Sequence, residues 1–199
     1  MLKEAGYKFD VAFTSLLRRA QMTLQIIAES TGDVSTMKTW RLNERHYGSL
    51  TGMNKDAASE EYGRDRVNAW RRSLDVPPPK MEEGHSYYDV IHKDARYKDI
   101  REIPCNESLE MCILRTLPFW EDAIVPAVKS GKSCIVAGHG NNLRGLVKHL
   151  EELTNEEAAK LSLPVGVPFV YELDESCKPV GKMRFIGEEQ RNTININKI

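Results

Sequence analysis

Ser133-Cys134-Ile135-Val136-Ala137-Gly138-His139-Gly140-Asn141-Asn142-Leu143-Arg144 is the stretch that decides the fold. Four small or β-branched apolar residues closed by glycine predict a buried strand, and Leu143, Leu146, Val147 and Leu150 then recur at helical spacing. His139 therefore belongs to a strand-to-helix turn. In an α/β sheet that junction lies at the carboxyl edge of the strands, where ligands bind, and the helix that follows offers free backbone N–H groups to an anion. A histidine between two glycines at such a turn points toward phosphate chemistry. The alternative is a hydrogen-bonded structural histidine, but the flanking glycines favour close approach of backbone to ligand.

Upstream, Asp10 to Thr14 predicts a short strand. Ser15 is a plausible N-cap for a helix whose Leu16, Ala20, Leu24, Ile27 and Ala28 share a face, ending at Gly32. Leu2 to Ala5 looks like the last turn of a helix closed by Gly6, so the chain is expected to start mid-element. Val34 to Trp40 predicts an edge strand. Arg41 to Gly48 is too charged for a core and predicts a functional loop. Two short helices, Asn54 to Tyr62 and Arg64 to Leu74, precede Pro77-Pro78-Pro79, which forbids regular helix or central strand and opens an irregular excursion over 77–104.

Asn106 or Ser108 can cap a long helix through Leu109, Ile113, Leu117 and Trp120 toward Val128, kinked or split at Pro118 and stopped at Gly131. Downstream of His139, Thr154 and Glu157 form a capping box. Phe169 to Leu173 and Val180 to Ile186 predict a terminal hairpin that adds an antiparallel edge strand. Residues 188–199 are expected to be a mobile tail. Alternating strands and helices predict an α/β fold with a mostly parallel sheet.

The chain has 199 residues, 41% hydrophobic and 29% charged, which suits one soluble domain with a full core. Its formal net charge of -1 gives no footprint for nucleic acid or an anionic membrane. No apolar run reaches membrane-span length, and the start, Met1-Leu2-Lys3-Glu4-Ala5-Gly6, lacks the apolar core expected of a signal peptide. Cys105, Cys112, Cys134 and Cys177 lack a C-x-x-C spacing, so a reduced, cytoplasmic chain is expected. No metal is expected, because no H-x-x-x-H or cysteine cluster occurs. His85, His92 and His149 carry no partner pattern and are assigned no role.

Three stretches carry what a phosphate site requires: Arg18-Arg19, Glu44 to Lys55, and Arg71-Arg72. Arginine grips phosphate with a planar fork and lysine adds a compact charge. Arg19, in the first turn of its helix, falls on the ligand edge of the sheet. Each stretch has a plainer alternative, a solvated helix face for the arginine pairs and a salt-bridged loop for Glu44-Arg45-His46.

Thr14-Ser15-Leu16-Leu17-Arg18-Arg19-Ala20, Leu42-Asn43-Glu44-Arg45-His46-Tyr47-Gly48, Asn54-Lys55, Trp70-Arg71-Arg72, Glu107-Ser108-Leu109 and Gly138-His139-Gly140-Asn141 together closely resemble cofactor-dependent phosphoglycerate mutase. The resemblance runs from about Leu2 to about Gly187. The stretch from Leu42 to Gly48 separates the mutases from the wider histidine phosphatase superfamily. The resemblance implies a phosphoglycerate-mutase-like three-layer α/β fold over residues 1–187 and interconversion of 2-phosphoglycerate and 3-phosphoglycerate through a phosphohistidine. It implies 2,3-bisphosphoglycerate as the primer, no metal, and a homo-oligomer as in the family. By the same resemblance Glu44 is the acid/base at the substrate hydroxyl, and His139 stabilises the transferring phosphoryl group. Arg19, Glu44, Arg45, His46, Tyr47, Lys55, Arg71, Arg72, Gly140 and Asn141 are implied contacts to substrate or bisphosphoglycerate.

One departure is large. The family's nucleophile is a histidine in an Arg-His-Gly motif directly after the first strand, and no Arg-His-Gly occurs in this sequence. The expectation is an incomplete mutase domain whose first central strand is missing, inactive or nearly so alone. Either an in-frame upstream segment supplies that motif, or the chain is a relic that binds phosphoglycerates without turning them over. A phosphatase of the same superfamily is the nearest chemical alternative. Loss of a central strand is expected to leave the chain poorly soluble or molten. Asn142 stands where the family usually has serine and keeps the hydrogen-bonding capacity.

Overall fold

β1 (Val11–Ser15) pairs in parallel with β2 (Ser35–Thr39) on one side and with β3 (Cys134–Ala137) on the other. The register sets Phe13 between Met37 and Val136 and Thr14 opposite Ala137, whose carbonyl accepts the Thr14 hydroxyl at 2.8 Å. β1 and β3 therefore end level, and the turns that carry Arg19 and His139 leave the sheet side by side. The structure, a computed structural model, describes residues 1–187, so the tail expected over 188–199 lies outside the described residues.

Local sequence signals account for most boundaries. Residues 2–6 form the expected turn, closed by Gly6 at φ 77° with the Tyr7 N–H donated to the Leu2 carbonyl. α1 (Arg18–Thr31) ends on Gly32 at φ 104° and packs Leu24 against Ala12 and Ala137. Ser15 is not its N-cap. β1 runs one residue further than its apolar core, so the helix opens on Leu17 with no side-chain cap, and the Ser15 hydroxyl accepts the Leu17 N–H at 3.1 Å. α2 (Lys55–Tyr62) and α3 (Arg64–Arg72) close over Leu50, Ala58 and Val67.

After Pro77-Pro78-Pro79 the excursion contains only α4 (Tyr88–His92) and a single 3-10 turn at Ala95–Tyr97. α5 (Leu109–Phe119) opens on Ser108, whose hydroxyl accepts the Met111 N–H at 3.1 Å. Pro118 neither breaks nor splits it. Proline cannot donate to the carbonyl four residues back, and the helix widens just beyond it into a π turn, Trp120–Ile124, before α6 (Val125–Lys129). α7 (Gly140–Leu150) follows His139, and α8 (Asn155–Lys160) opens on the Thr154–Glu157 capping box.

α1 covers one sheet face and α5 with α7 the other, giving three layers. The main core joins Phe13, Leu42, Phe119, Trp120, Ile124, Leu146 and Cys177, with Phe13 and Phe119 meeting edge to face at 5.7 Å. The hairpin of β4 (Phe169–Val170) and β5 (Arg184–Phe185) forms, but as a separate two-stranded sheet rather than an edge of the parallel one. Its two paired residues per strand are extended by backbone bonds from the Val180 N–H to the Glu172 carbonyl at 2.7 Å and from the Ile186 N–H to the Pro168 carbonyl at 2.8 Å, and side chains add to them. Glu151, at the end of α7, accepts the Tyr171 hydroxyl at 2.6 Å and the Met183 N–H at 3.2 Å. Consequently the outer edge of β3 has no hydrogen-bonded strand among the described residues, and Cys134, Ile135 and Val136 are only half-buried.

α5 and α7 approach closely because Gly145 has no side chain. A Cβ placed there would lie 2.7 Å from Ile113 Cγ1. Gly145→Val is expected to lower stability by about 1–3 kcal/mol in urea unfolding through overpacking. Trimming the neighbour with Ile113→Ala should make the two losses non-additive.

Candidate active site

His139 sits at the N-terminus of α7 with 7% exposure. Its Nδ1 accepts the Arg19 Nε–H at 3.2 Å, so the ring hydrogen rides on Nε2 and is donated to Ser15 Oγ at 2.8 Å. Burial first, and the Arg19 cation second, push its pKa down to about 4 against a pull upward from Glu44. At neutral pH it is an uncharged N–H donor beside a guanidinium, facing the ligand edge of the sheet.

Asn142 fixes this turn. Fully buried, it accepts the His139 N–H on Oδ1 at 3.0 Å and donates from Nδ2 to the carbonyls of Leu42 and Asn43, the latter at 3.2 Å. Its Oδ1 also lies 2.7 Å from where a Cβ on Gly138 would be. The histidine turn and the polar loop after β2 are thereby one hydrogen-bonded unit.

That loop is gripped from beneath by Arg115. Its guanidinium reaches both carboxylate oxygens of Glu107 at 2.6 and 2.9 Å and the carbonyls of Arg41, Asn43 and Glu44 at 2.7, 3.0 and 3.2 Å. Glu107 in turn accepts the His46 N–H at 2.8 Å. Side chains of Arg115 and Glu107 are 9% and 3% exposed, so both charges are satisfied only by each other and by the loop.

Held this way, Glu44 is half-buried and its Oε1 accepts the Arg45 N–H and the Asn141 Nδ2–H, both at 2.8 Å. Asn141 also donates to the Tyr47 hydroxyl at 3.1 Å. The Tyr47 ring lies against the Arg45 and Arg71 guanidinium groups at 4.6 and 5.5 Å. Beside it opens a cavity of about 440 Å³ lined by Lys55, Arg71, Arg72, Gly140, Asn141, Arg144 and Lys160 among others, with no carboxylate in its wall. A neutral imidazole, a free guanidinium, a carboxylate and a cationic basin thus converge, the set needed to bind phosphate esters and move a proton beside them.

The expected residues therefore divide. Arg19 and His139 form one hydrogen-bonded group at the strand ends and Glu44, Tyr47 and Asn141 a second; Lys55, Arg71, Arg72 and Gly140 line the adjoining basin with Tyr47 and Asn141. Arg45 and His46 face inward. Arg45 is 2% exposed with Nε and Nη1 unpartnered among the described residues, and His46 accepts the Gly48 N–H on Nδ1 at 3.0 Å. His85, His92 and His149 join neither group; His149 lies 3.7 Å from Glu121 on the far end of α7. Arg144, Lys160 and Arg115 carry no individual signal in the sequence, and Ser15 is marked there only as an N-cap candidate and motif residue. Glu107 was visible only as part of a motif.

Residues 2–95 match the histidine phosphatase superfamily (branch 1). The 2,3-bisphosphoglycerate-dependent phosphoglycerate mutases of Borreliella burgdorferi strains ZS7 and B31 are each 48% identical to this chain over 195 residues, spanning 96% of it and 77% of their own length. The chain belongs to this mutase family. Among solved structures, the native mycobacterial glucosyl-3-phosphoglycerate phosphatase superposes with a TM-score of 0.60 at 17% identity, over 93% of this chain and 79% of that one. Its complex with inorganic phosphate gives 0.58 at 19% identity, over 88% and 74%. These two speak for the fold, and they agree with the three-layer α/β architecture that the mutase resemblance implies.

Two outcomes test how this mutase-family site is held. Arg115→Met, which strands the Glu107 charge in the core, is expected to cost about 3–5 kcal/mol in denaturant unfolding, and Glu107→Gln combined with it should recover part of the loss. The second is a pH profile. Burial also pushes His46 down to about 4, so folding keeps both His46 and His139 neutral where the unfolded chain takes up protons near its ordinary value of 6.5. Unfolded chain binds more protons between pH 6.5 and 4, so stability falls as pH falls through that window, by on the order of 1–3 kcal/mol per histidine. Thermal unfolding across the window, with His46→Gln and His139→Gln each flattening the decline, checks the sign.

Proposed function

We propose that these 199 residues bind phosphoglycerates as a mutase does but do not form a phosphohistidine by themselves. The observation that carries this is the Arg19–His139 and Asn141–Glu44 hydrogen bonds beside a carboxylate-free basin, with no second imidazole hydrogen-bonded to either pair among the described residues. All five histidines of the chain lie within those residues.

The residues suit a ligand with two phosphates. Lys55, Arg71, Arg72, Arg144 and Lys160 supply five cations to one cavity, and the buried Arg45 guanidinium, whose Nη2–H is donated to the Arg71 carbonyl, adds positive potential beside it. Bound there, 2,3-bisphosphoglycerate supplies the phosphoryl group that primes the family's exchange between 2-phosphoglycerate and 3-phosphoglycerate. His139 donates Nε2–H to a phosphoryl oxygen once Ser15 is released, and Arg19 balances the charge on that group. Glu44, poised on Asn141, takes or returns the proton of the substrate hydroxyl. Placing phosphate and carboxylate ends together calls for the second cationic environment of Tyr47, Lys55, Arg71 and Arg72, which hydrolysis by water does not need. That favours mutase over phosphatase chemistry.

What is missing is a group to carry the phosphoryl. The absence of Arg-His-Gly and the unpaired outer edge of β3 both support the reading that the strand bearing the nucleophile is not among these residues. A cytoplasmic location belongs to the same proposal, supported by four free thiols and by the absence, among the described residues, of any helix long and apolar enough to cross a membrane. So does a homo-oligomer, since β2 is an outer strand with Met37 exposed and α1 exposes Met22 and Ile26.

Titration calorimetry of the purified chain with 3-phosphoglycerate and with 2,3-bisphosphoglycerate is expected to show saturable binding that Arg71→Ala weakens about tenfold or more. Incubation with radiolabelled bisphosphoglycerate is expected to leave no acid-labile phosphoprotein. Phosphoenzyme, or turnover with contaminating mutase excluded, would overturn the proposal.

A further inference from the structure

Arg144 belongs to no motif that marks the mutase site, yet it joins three of its walls. From α7 its Nη1–H is donated to Asn141 Oδ1 at 3.0 Å, and its Nε–H to the Leu161 carbonyl at 3.2 Å on the segment after α8. Asn141 is buried, and its other end is the one that touches Glu44 Oε1 and the Tyr47 hydroxyl. A primary amide has a donor end and an acceptor end of nearly the same shape, so an unheld asparagine can present either one to its neighbours. A carboxylate oxygen can only accept. The amide oxygen turned toward Glu44 would repel it.

We propose that Arg144 is a positioning residue that locks the Asn141 amide with its N–H groups toward Glu44 and Tyr47. The guanidinium offers donors only, so the amide end facing it must be the oxygen. This has two consequences for chemistry. Glu44 is held by an N–H donor in the rotamer in which it also accepts the Arg45 N–H, ready to exchange a proton with a hydroxyl rather than swinging into the basin. Tyr47 spends an oxygen lone pair on Asn141, which leaves its own O–H free to be donated into the cavity of Lys55, Arg71 and Arg72. The Leu161 carbonyl anchors the guanidinium itself, so the pocket wall at 161–163 and the Glu44 loop are set by one planar fork. Lysine, with a single point charge, cannot make both bonds in that geometry.

The inference rests on the proposed mutase-type binding for its effect on ligand, but the amide lock exists without ligand and is tested first. In ¹⁵N-correlated spectra of the free chain, the side-chain amide pair lost in Asn141→Asp identifies Asn141. In Arg144→Lys and Arg144→Ala that pair is expected to move to the shifts and fast solvent exchange of an unheld amide, while backbone amides outside α7 and the Glu44 loop stay in place. An Asn141 pair unchanged in both variants overturns the proposal, whatever the chain binds.

Binding then separates positioning from direct charge contact. Affinity for 3-phosphoglycerate is expected to fall about tenfold in Arg144→Ala and nearly as far in Arg144→Lys, and Arg144→Ala is expected to add little in an Asn141→Ala background. Full rescue by lysine, or equal losses in both backgrounds, would show that Arg144 serves only as a cation and overturn the positioning role. A parent chain that binds no 3-phosphoglycerate sinks the proposed function while the spectra still decide the lock.

Discussion

The buried pair of Glu107 and Arg115 is the constraint on which the site depends. A guanidinium and a carboxylate out of water are costly unless every donor and acceptor is used, and here the remaining donors of Arg115 go to carbonyls of the 41–44 loop. That loop has no strand ladder or long helix of its own, so its shape is dictated by a charge that has nowhere else to go. Glu107 spends its remaining capacity on the His46 N–H, which fixes the far end of the same loop. Glu44 and Tyr47 are then placed by a backbone that the ion pair defines.

Two further bridges attach this loop to the strand ends. Asn142 ties residues 42 and 43 to the His139 turn, and Asn141 ties Glu44 and Tyr47 to the first turn of α7. Since β1 and β3 finish level, His139 also meets Ser15 and Arg19 from the neighbouring strand end. Nearly every group that could touch a phosphoglycerate is thus positioned by a partner distant in sequence. The hydrogen bonds run across the sheet edge rather than along it, and a cationic basin that includes the exposed Lys55, Arg71 and Arg72 lies beside it.

Much of the fold was legible because its signals are local. The Cys134–Ala137 run, the glycine stops at 32 and 131, the Ser108 cap and the Thr154–Glu157 capping box each act within a few residues, and each element lies where its signal put it. Ser15 shows the limit. A serine just before a helix is a fair N-cap by local rules, but β1 extends through it and its hydroxyl is claimed by a histidine 124 positions away. Pro118 likewise promised a kink, and the chain absorbed it in a π turn that no local rule distinguishes from a break. The hairpin was legible and its docking was not, because whether two short strands join a larger sheet is decided by what lies at that sheet's edge. Arg144 was invisible as well: on a helix surface it resembles any solvated arginine until Leu161 and Asn141 are folded against it.

Asn142 has a consequence for how this turn can vary. Its amide oxygen occupies the space that a side chain at position 138 would need, so Gly138 is required here by its neighbour four residues on rather than by backbone conformation. Serine at 142 would place its oxygen one atom closer to the helix and relieve the tightest contact at 138, leaving a Cβ there 3.3 Å from Leu143 Cδ2, but it would no longer span to the carbonyls of Leu42 and Asn43. The two positions are therefore coupled: asparagine with glycine gives a long clasp between the histidine turn and the loop, while a shorter residue at 142 eases 138 only in part and leaves a looser seam. A change at either site alone pays for a clash or a void.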